Sequence, residues 1–503
     1  LALSTLIDLL ERSFDKNTEN DAIYYSPNSY SYGRIREAIN RLAQSFLSLG
    51  IKKGDRVAIL LPNLVQFPIT YFAALKAGAV AVPLNFLLTR SQIQEQLVLV
   101  EPAIIVVWQN ILSKIEPIPA PINCKVVVLG DHVPEGFTSL TRLIAYAEPI
   151  KSTPEIFAED VAVIVFTAGN SGNPKAVQLT HESIITVCRA FRAAFMIDSS
   201  ESFMTVMPLF LAISQVAILN TAFIAGSKLI LHPTFEVPAI ADLIHEQGAS
   251  ILVGNNAMYR TFFDAAIEPE KLSSLKYCIS FGDILSQEIL DTFEKKYGIH
   301  LYESYGLCEA TTFVTLNRTD GEQRKGSAGV PLESIHLKIV NTQGEMLPEG
   351  EIGEILVHGP SHMKGYLGQP VEDEKVIEDG WLHTRDLGTI DSHGYLYVLE
   401  RAENVIFKAG FQVFPHEIET LLAEHPQVAE VAVIGVPEAV HGEEVKACIV
   451  PKPDAQVDAA EIIEYCRQRL ELYKCPKYVQ VMKSLPKSPT GRILKYQLKN
   501  NLI

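Results

Sequence analysis

The sequence predicts an α/β protein: a large amino-terminal domain, residues 1–400, of two α/β lobes with a β-rich subdomain, followed by a small α+β domain at 401–503. Three observations predict it. Short runs of β-branched residues, such as Val161, Val163, Ile164 and Val165, read as buried strands and alternate with stretches whose apolar residues recur at helical spacing. That alternation indicates parallel sheet covered by helices, and it stops and restarts across one glycine-rich loop. Beyond about Thr311 the character changes to short strands and turns, and 503 residues are too many for one core.

The opening LALSTLIDLLERSF mixes acidic with apolar residues and has no basic region leading into an apolar run and cleavage site, so it reads as the amphipathic first helix of a soluble protein. From Asp55, DRVAILLPN reads as a strand, LVQFPITYFAALKAGAV as a helix and VAVPLN as a second strand. AIIVVW (103–108) and KVVVLG (125–130) add two more. In the second lobe SKLILH (227–232), ASILVG (249–254) and KYCISFG (276–282) are strand candidates. The last hundred residues mix a helix, PHEIETLLAEH, with strands, VAEVAVIGV and KACIVPK.

Composition narrows the function. Forty-three Lys and Arg against 59 Asp and Glu leave a net charge of −16, which argues against nucleic acid or an anionic membrane as the main partner. The seven cysteines are scattered without metal-ligand or disulfide-framework spacing, which points to a reducing compartment, the cytoplasm. No apolar run approaches a membrane span. From Arg467 to Lys499 nine basic residues face one acidic, Glu471; this reads either as a solvated basic face or as a docking surface for phosphates.

The chemistry centres on the loop after Val161–Phe166. Thr167, Gly169, Asn170, Ser171, Gly172 and Lys175 supply converging backbone N–H groups, hydroxyl donors and one cation, which read equally as the parts that hold a polyphosphate or as a Gly/Asn/Pro turn between two strands. Ala176 follows Lys175, so the spacing is not that of a P-loop. No strand leads into GxGxxG with an acidic residue downstream, which excludes an ordinary dehydrogenase.

Five stretches in order, FTAGNSGNPKAVQLTH (166–181), ESYGLCEA (303–310), GWLHTRDLG (380–388), RAENVIFKAGFQVFPHEIE (401–419) and LPKSPTGRILKYQLK (485–499), resemble the adenylate-forming superfamily, and acyl-CoA synthetases most of all. The resemblance spans nearly the whole chain. It implies a mobile carboxy-terminal lid pivoting at Glu403, and a ligase using ATP, Mg²⁺ and coenzyme A. A carboxylate attacks the α-phosphate, and a thiol then takes the acyl group. It assigns Thr167, Gly169, Ser171, Gly172 and Lys175 to the phosphates, Tyr305 and Gly306 to adenine, Glu309 to Mg²⁺, Asp386 to the ribose and Arg401 to the ribose or a phosphate. These residue types suit those tasks: an aromatic face for a base, a hard carboxylate for Mg²⁺, a carboxylate and a guanidinium fork for a diol. Phe210, Leu211, Ile213 and the segment 253–263, with Asn255, are candidate walls of a hydrophobic acid pocket.

The chain also departs from the pattern. Arg492 stands where a catalytic Lys is expected, and a planar guanidinium is a poor substitute for a point charge between two oxyanions. Lys495 and Lys487 are the candidates to stand in for it. Ala168 and Asn170 replace hydroxyl residues, Cys308 replaces Thr, Arg385 and Glu400 replace Gly, Phe281-Gly282-Asp283 replaces a GGA-like stretch, and Leu211 stands where a histidine is usual. Two readings follow: a ligase with slowed adenylation, passing its acyl group to coenzyme A or to the phosphopantetheine thiol of a carrier protein, or an impaired member that binds an acyl or nucleotide ligand.

Overall fold

The computed structural model describes residues 4–167, 174–282, 285, 287–324, 326–409, 411–438, 442–453, 455–487 and 493–500, with backbone alone at 287, 288, 371, 372, 374 and 500. The chain forms two compact units: Leu1–Thr167 with Lys175–His336 and Val357–Leu382, and Ala168–Pro174 with Leu337–Leu356 and His383–Ile503. The boundary expected at residue 400 falls inside the second unit.

The first unit holds two sheets, as the two-lobe reading expects. One has eight strands in the order 365–366, 176–180, 161–166, 80–83, 56–60, 104–108, 125–129 and 138–139. Its centre is parallel, Val57 lying beside both Ala81 and Ile104. Such strands are covered on both faces, which is why they are near-continuous apolar runs. Val82, Ile105, Val107 and Ile164 meet in its core. Val161–Phe166 and Ala176–Thr180 pair antiparallel, so the glycine-rich loop joins two strands of one hairpin, unlike a P-loop that runs from strand to helix.

The other sheet has nine strands in the order 330–331, 312–316, 301–307, 277–280, 251–254, 202–205, 228–231, 21–25 and 28–31. Its last two come from the start of the chain, where Ile23 pairs with Leu229. The first helix, Leu6–Asn17, begins in a capping box of Thr5 and Asp8, and buries Leu6, Leu10 and Phe14 on one face, as its amphipathic spacing predicts. Aromatic rings tie the helices together: Phe72 and Phe223 lie 4.9 Å apart, Tyr32 and Phe223 5.5 Å.

In the second unit, strands around 337–340, 353–356, 383–390 and 396–401 build the β-rich subdomain. A five-stranded sheet follows, in which Gly442–Pro451 is central, pairing with Val428–Glu438, Ile406–Lys408 and Tyr478–Val481. Ile406, Ile418, Leu422, Val445 and Ile462 form its own core. No helix among the described residues is long and apolar enough to cross a membrane.

Candidate active site

The mouth of the glycine-rich loop is closed by backbone chemistry. Thr167 N donates to the Lys175 carbonyl at 3.0 Å, and Lys175 N donates to Thr167 Oγ1 at 3.1 Å. The pairing holds the two ends of the loop together, with Lys175 at its exit. The Lys175 ammonium lies 4.6 Å from the centre of the Tyr366 ring, a cation–π distance. The Tyr366 hydroxyl in turn donates to Glu309 Oε1 at 2.8 Å. A cation and a carboxylate from two separate stretches are thus linked through one ring from a third.

Tyr366 is held on both sides. Its strand pairs with Ala176–Thr180, placing Tyr366 opposite Val177, and its N–H donates to Asp373 Oδ1 at 2.7 Å. Glu309 sits in a short 3-10 turn whose carbonyl accepts from Met363 N at 2.8 Å. The chain leaves that turn through Thr311 and Thr312 at φ 55° and 77°, left-handed geometry that is costly for β-branched residues. Sequence reasoning missed Tyr366; its only signal is a Gly-Tyr pair lying between two of the resembling stretches.

Tyr305 and Gly306 lie on Leu301–Leu307, paired with Thr315 and Phe313. A Cβ on Gly306 would run into the Thr312 carbonyl, so glycine is dictated there. Two residues before Tyr305 is Glu303, 8% exposed, which the sequence did not single out. Burial pushes its carboxyl up to about 7, against hydrogen bonds from the Gly326 and Leu285 backbone. Cys308 is pushed up to about 12 by burial and then by Glu309, so it is no thiolate at neutral pH.

A Mg²⁺ ion was tested against these groups. One Glu309 oxygen takes the Tyr366 hydroxyl, and a carboxylate keeps acceptor capacity beyond one such bond. Among the described residues no cluster of three or more His, Cys, Asp or Glu could hold a metal. Mg²⁺ commonly takes one or two protein carboxylates and completes its shell with water and phosphate, and Glu309 offers a carboxylate of that kind.

In the second unit Asp386 and Arg401 face each other across an antiparallel pair, with Arg401 Nε donating to Asp386 Oδ1 at 2.8 Å. Asp386 is 7% exposed, while the Arg401 side chain is 32% exposed. Asp386 N donates to Thr384 Oγ1. Arg385 has φ 60°, the left-handed geometry that the expected glycine would adopt freely. Glu354 offsets the strain by accepting from Arg385 N at 3.0 Å. Glu403 lies in the 3-10 turn Ala402–Asn404 directly after Arg401.

The candidate pocket residues lie in the first unit. Phe210 is buried, with its ring 5.6 Å from Phe86 in an edge contact. Leu211 N donates to the Pro208 carbonyl, and a fully buried π-helix, Ser214–Asn220, follows. Asn255 caps the helix Asn256–Asp264, its Oδ1 accepting from Met258 N at 2.9 Å. Gly169, Ser171, Gly172 and Arg492, with Ala168, Asn170 and Asp283, lie outside the described residues. Neither lysine suggested as a stand-in for a catalytic one is spare: Lys487 pairs with Glu430 at 2.7 Å, and Lys495 with Glu400 and Glu419.

A closed loop mouth on a β-hairpin, with a lysine and a carboxylate both held by one tyrosine, suits an enzyme that handles a nucleotide polyphosphate. The comparisons agree with that class. The AMP-binding enzyme model matches residues 10–367 and the AMP-binding enzyme C-terminal domain model residues 417–492. A long-chain-fatty-acid–CoA ligase of Bacillus subtilis is 32% identical, covering 98% of this chain and 94% of the relative. A feruloyl-CoA synthase of Amycolatopsis is 31% identical over 95% of each. The crystal structure of ATP-bound MatB from Rhodopseudomonas palustris superposes with a TM-score of 0.93 at 29% identity, over 99% of both chains.

The chain belongs to the AMP-binding, adenylate-forming enzyme family. It is an ATP-dependent acid–thiol ligase that uses Mg²⁺, activates a carboxylic acid as its acyl-adenylate and passes the acyl group to coenzyme A.

Proposed function

We propose that Lys175, Glu309 and Tyr366 carry the phosphate end of this reaction; the observation behind it is that Tyr366 contacts both the Lys175 ammonium at the loop exit and the Glu309 carboxylate. Lys175, with Thr167 and the glycines 169 and 172 and Ser171, neutralises the phosphates as charge develops on them. Tyr366 orients Glu309, whose carboxylate would hold the Mg²⁺ that screens the polyphosphate from the incoming carboxylate. Tyr305 and Gly306 take the adenine, and Asp386 and Arg401 the ribose. Coupling to AMP turns a poor electrophile into one that a thiol can attack.

The acid is hydrophobic, aliphatic or aryl, lying along Phe210 and Leu211 with Asn255 nearby. Support comes from the apolar side chains and from relatives named for fatty acids and for ferulate. Arg492 slows adenylation: loss of a preorganised charge of this kind is worth about 3 kcal/mol, or about a hundredfold. Residues 401–503 act as a lid pivoting at Glu403. The thiol is coenzyme A in preference to a carrier-protein arm, and the protein works in the cytoplasm, in keeping with seven unpaired cysteines.

ATP–pyrophosphate exchange over a panel of fatty and aryl acids tests the reading. Exchange with some acid, and its rise in Arg492→Lys, is the expected result. A protein that binds ATP by calorimetry yet exchanges with none would be the impaired binder that the substitutions at 168, 308 and 492 favour.

A further inference from the structure

The last helix, Lys495–Asn500, sets two lysines one turn apart on one face. Lys499 reaches the turn at residues 402–404 itself, and Lys495 reaches Glu400, two residues ahead of it. Lys495 Nζ lies 3.1 Å from Glu400 Oε2 and 2.9 Å from Glu419 Oε1. Lys499 Nζ donates to the Glu403 carbonyl at 3.1 Å. The other Glu400 oxygen accepts from Arg401 N and from Asn404 Nδ2, each at 2.9 Å. Glu419 is fixed in turn by Val433 N at 2.6 Å.

The cluster is largely shielded from water, with side-chain exposures of 9% at Glu400 and about one-sixth at Lys495 and Glu419. Burial would push the Glu400 carboxyl up, but Lys495, Asn404 and Arg401 N hold it below its ordinary range. Burial would likewise lower Lys495, and Glu419 and Glu400 raise it. His416 faces the same carboxylates, its imidazole lowered by burial. A shielded pair of this kind resists one-sided loss, because either charge left alone pays its full desolvation.

Glu400 occupies a position where the family pattern has glycine, yet its backbone is not left-handed, so its side chain is no accommodation of a strained turn. Arg385 is the contrasting case. We propose that Glu400, Lys495 and Lys499 form a charge clasp across the 402–404 turn. These positioning residues hold the lid in the arrangement that serves adenylation, and the clasp must open before acyl transfer. The inference rests on the lid and hinge reading above. In the sequence Lys495 follows by three positions Arg492, the residue tied to the adenylation step.

The test separates the half-reactions in Glu400→Gln, Glu400→Gly and Lys495→Met, using hexadecanoate and ferulate as acids. Single-turnover pyrophosphate release should fall about tenfold. Thioester formation from presynthesised acyl-adenylate and coenzyme A should hold or rise. Trypsin cleavage after Arg401 should quicken about tenfold, and the reversed pair Glu400→Lys with Lys495→Glu should restore the wild-type balance. Half-reactions that fall together with a lowered Tm would make the cluster merely structural, and unchanged rates with unchanged cleavage would overturn the clasp. If the wild type releases no pyrophosphate with any acid, the ligase reading fails by itself, and the cleavage arm still decides the clasp.

Discussion

The roles proposed for Lys175, Tyr366 and Glu309 are ones that substitution can separate. Lys175→Ala removes the cation from the loop exit, and pyrophosphate exchange should drop about a hundredfold with the fold intact by circular dichroism. Tyr366→Phe keeps the ring beneath the ammonium but releases Glu309, and the loss should be smaller, about tenfold, and partly recovered by excess Mg²⁺. Glu303 sets a pH dependence of stability. Its folded-state value lies above the ordinary 4.5, so the folded chain holds a proton that the unfolded chain has already lost. Its contribution is therefore full below about pH 4.5 and is lost as pH rises toward 7, by about 3 kcal/mol. Urea titrations of Glu303→Gln at pH 5 and pH 7.5 should give a flatter profile than the wild type. Arg385→Gly should add about 1 kcal/mol of stability by relieving the left-handed strain.

Among the elements, Asn255 offers a clean separation of roles. Asn255→Ala should cost about 1 kcal/mol through loss of the cap, while Asn255→Ser should restore stability. A change in KM for the acid that persists in the serine variant would belong to the pocket, and one that vanishes with the cap would be structural. The strands were legible because sheet strands buried on both faces must be runs of Val, Ile and Leu, and Arg56–Leu60, Ile104–Trp108 and Val161–Phe166 are such runs. The hairpin Asp21–Ser31 was not, since it lies at a sheet edge with much of its surface exposed. Ser214–Asn220 is buried all round and so shows no amphipathic period to read. Arg385 and Glu400 are the same departure in sequence, a glycine lost. Only coordinates tell a strained backbone from a side chain recruited into a charge network.

At the level of the whole molecule the two units have separate cores, and calorimetry should resolve two unfolding transitions rather than one. The site was legible as residue types in order and illegible as contacts, because Tyr366, the link between Lys175 and Glu309, lies in neither of their stretches. The pairing of Ile23 with Leu229 reaches beyond stability. During synthesis the first hairpin leaves the ribosome with no sheet to join, and its partner strand is some two hundred residues behind. At about 5–20 residues per second that is roughly 10–40 s before Ile23 can meet Leu229, an interval in which the edges of the Asp21–Ser31 hairpin stay unpaired.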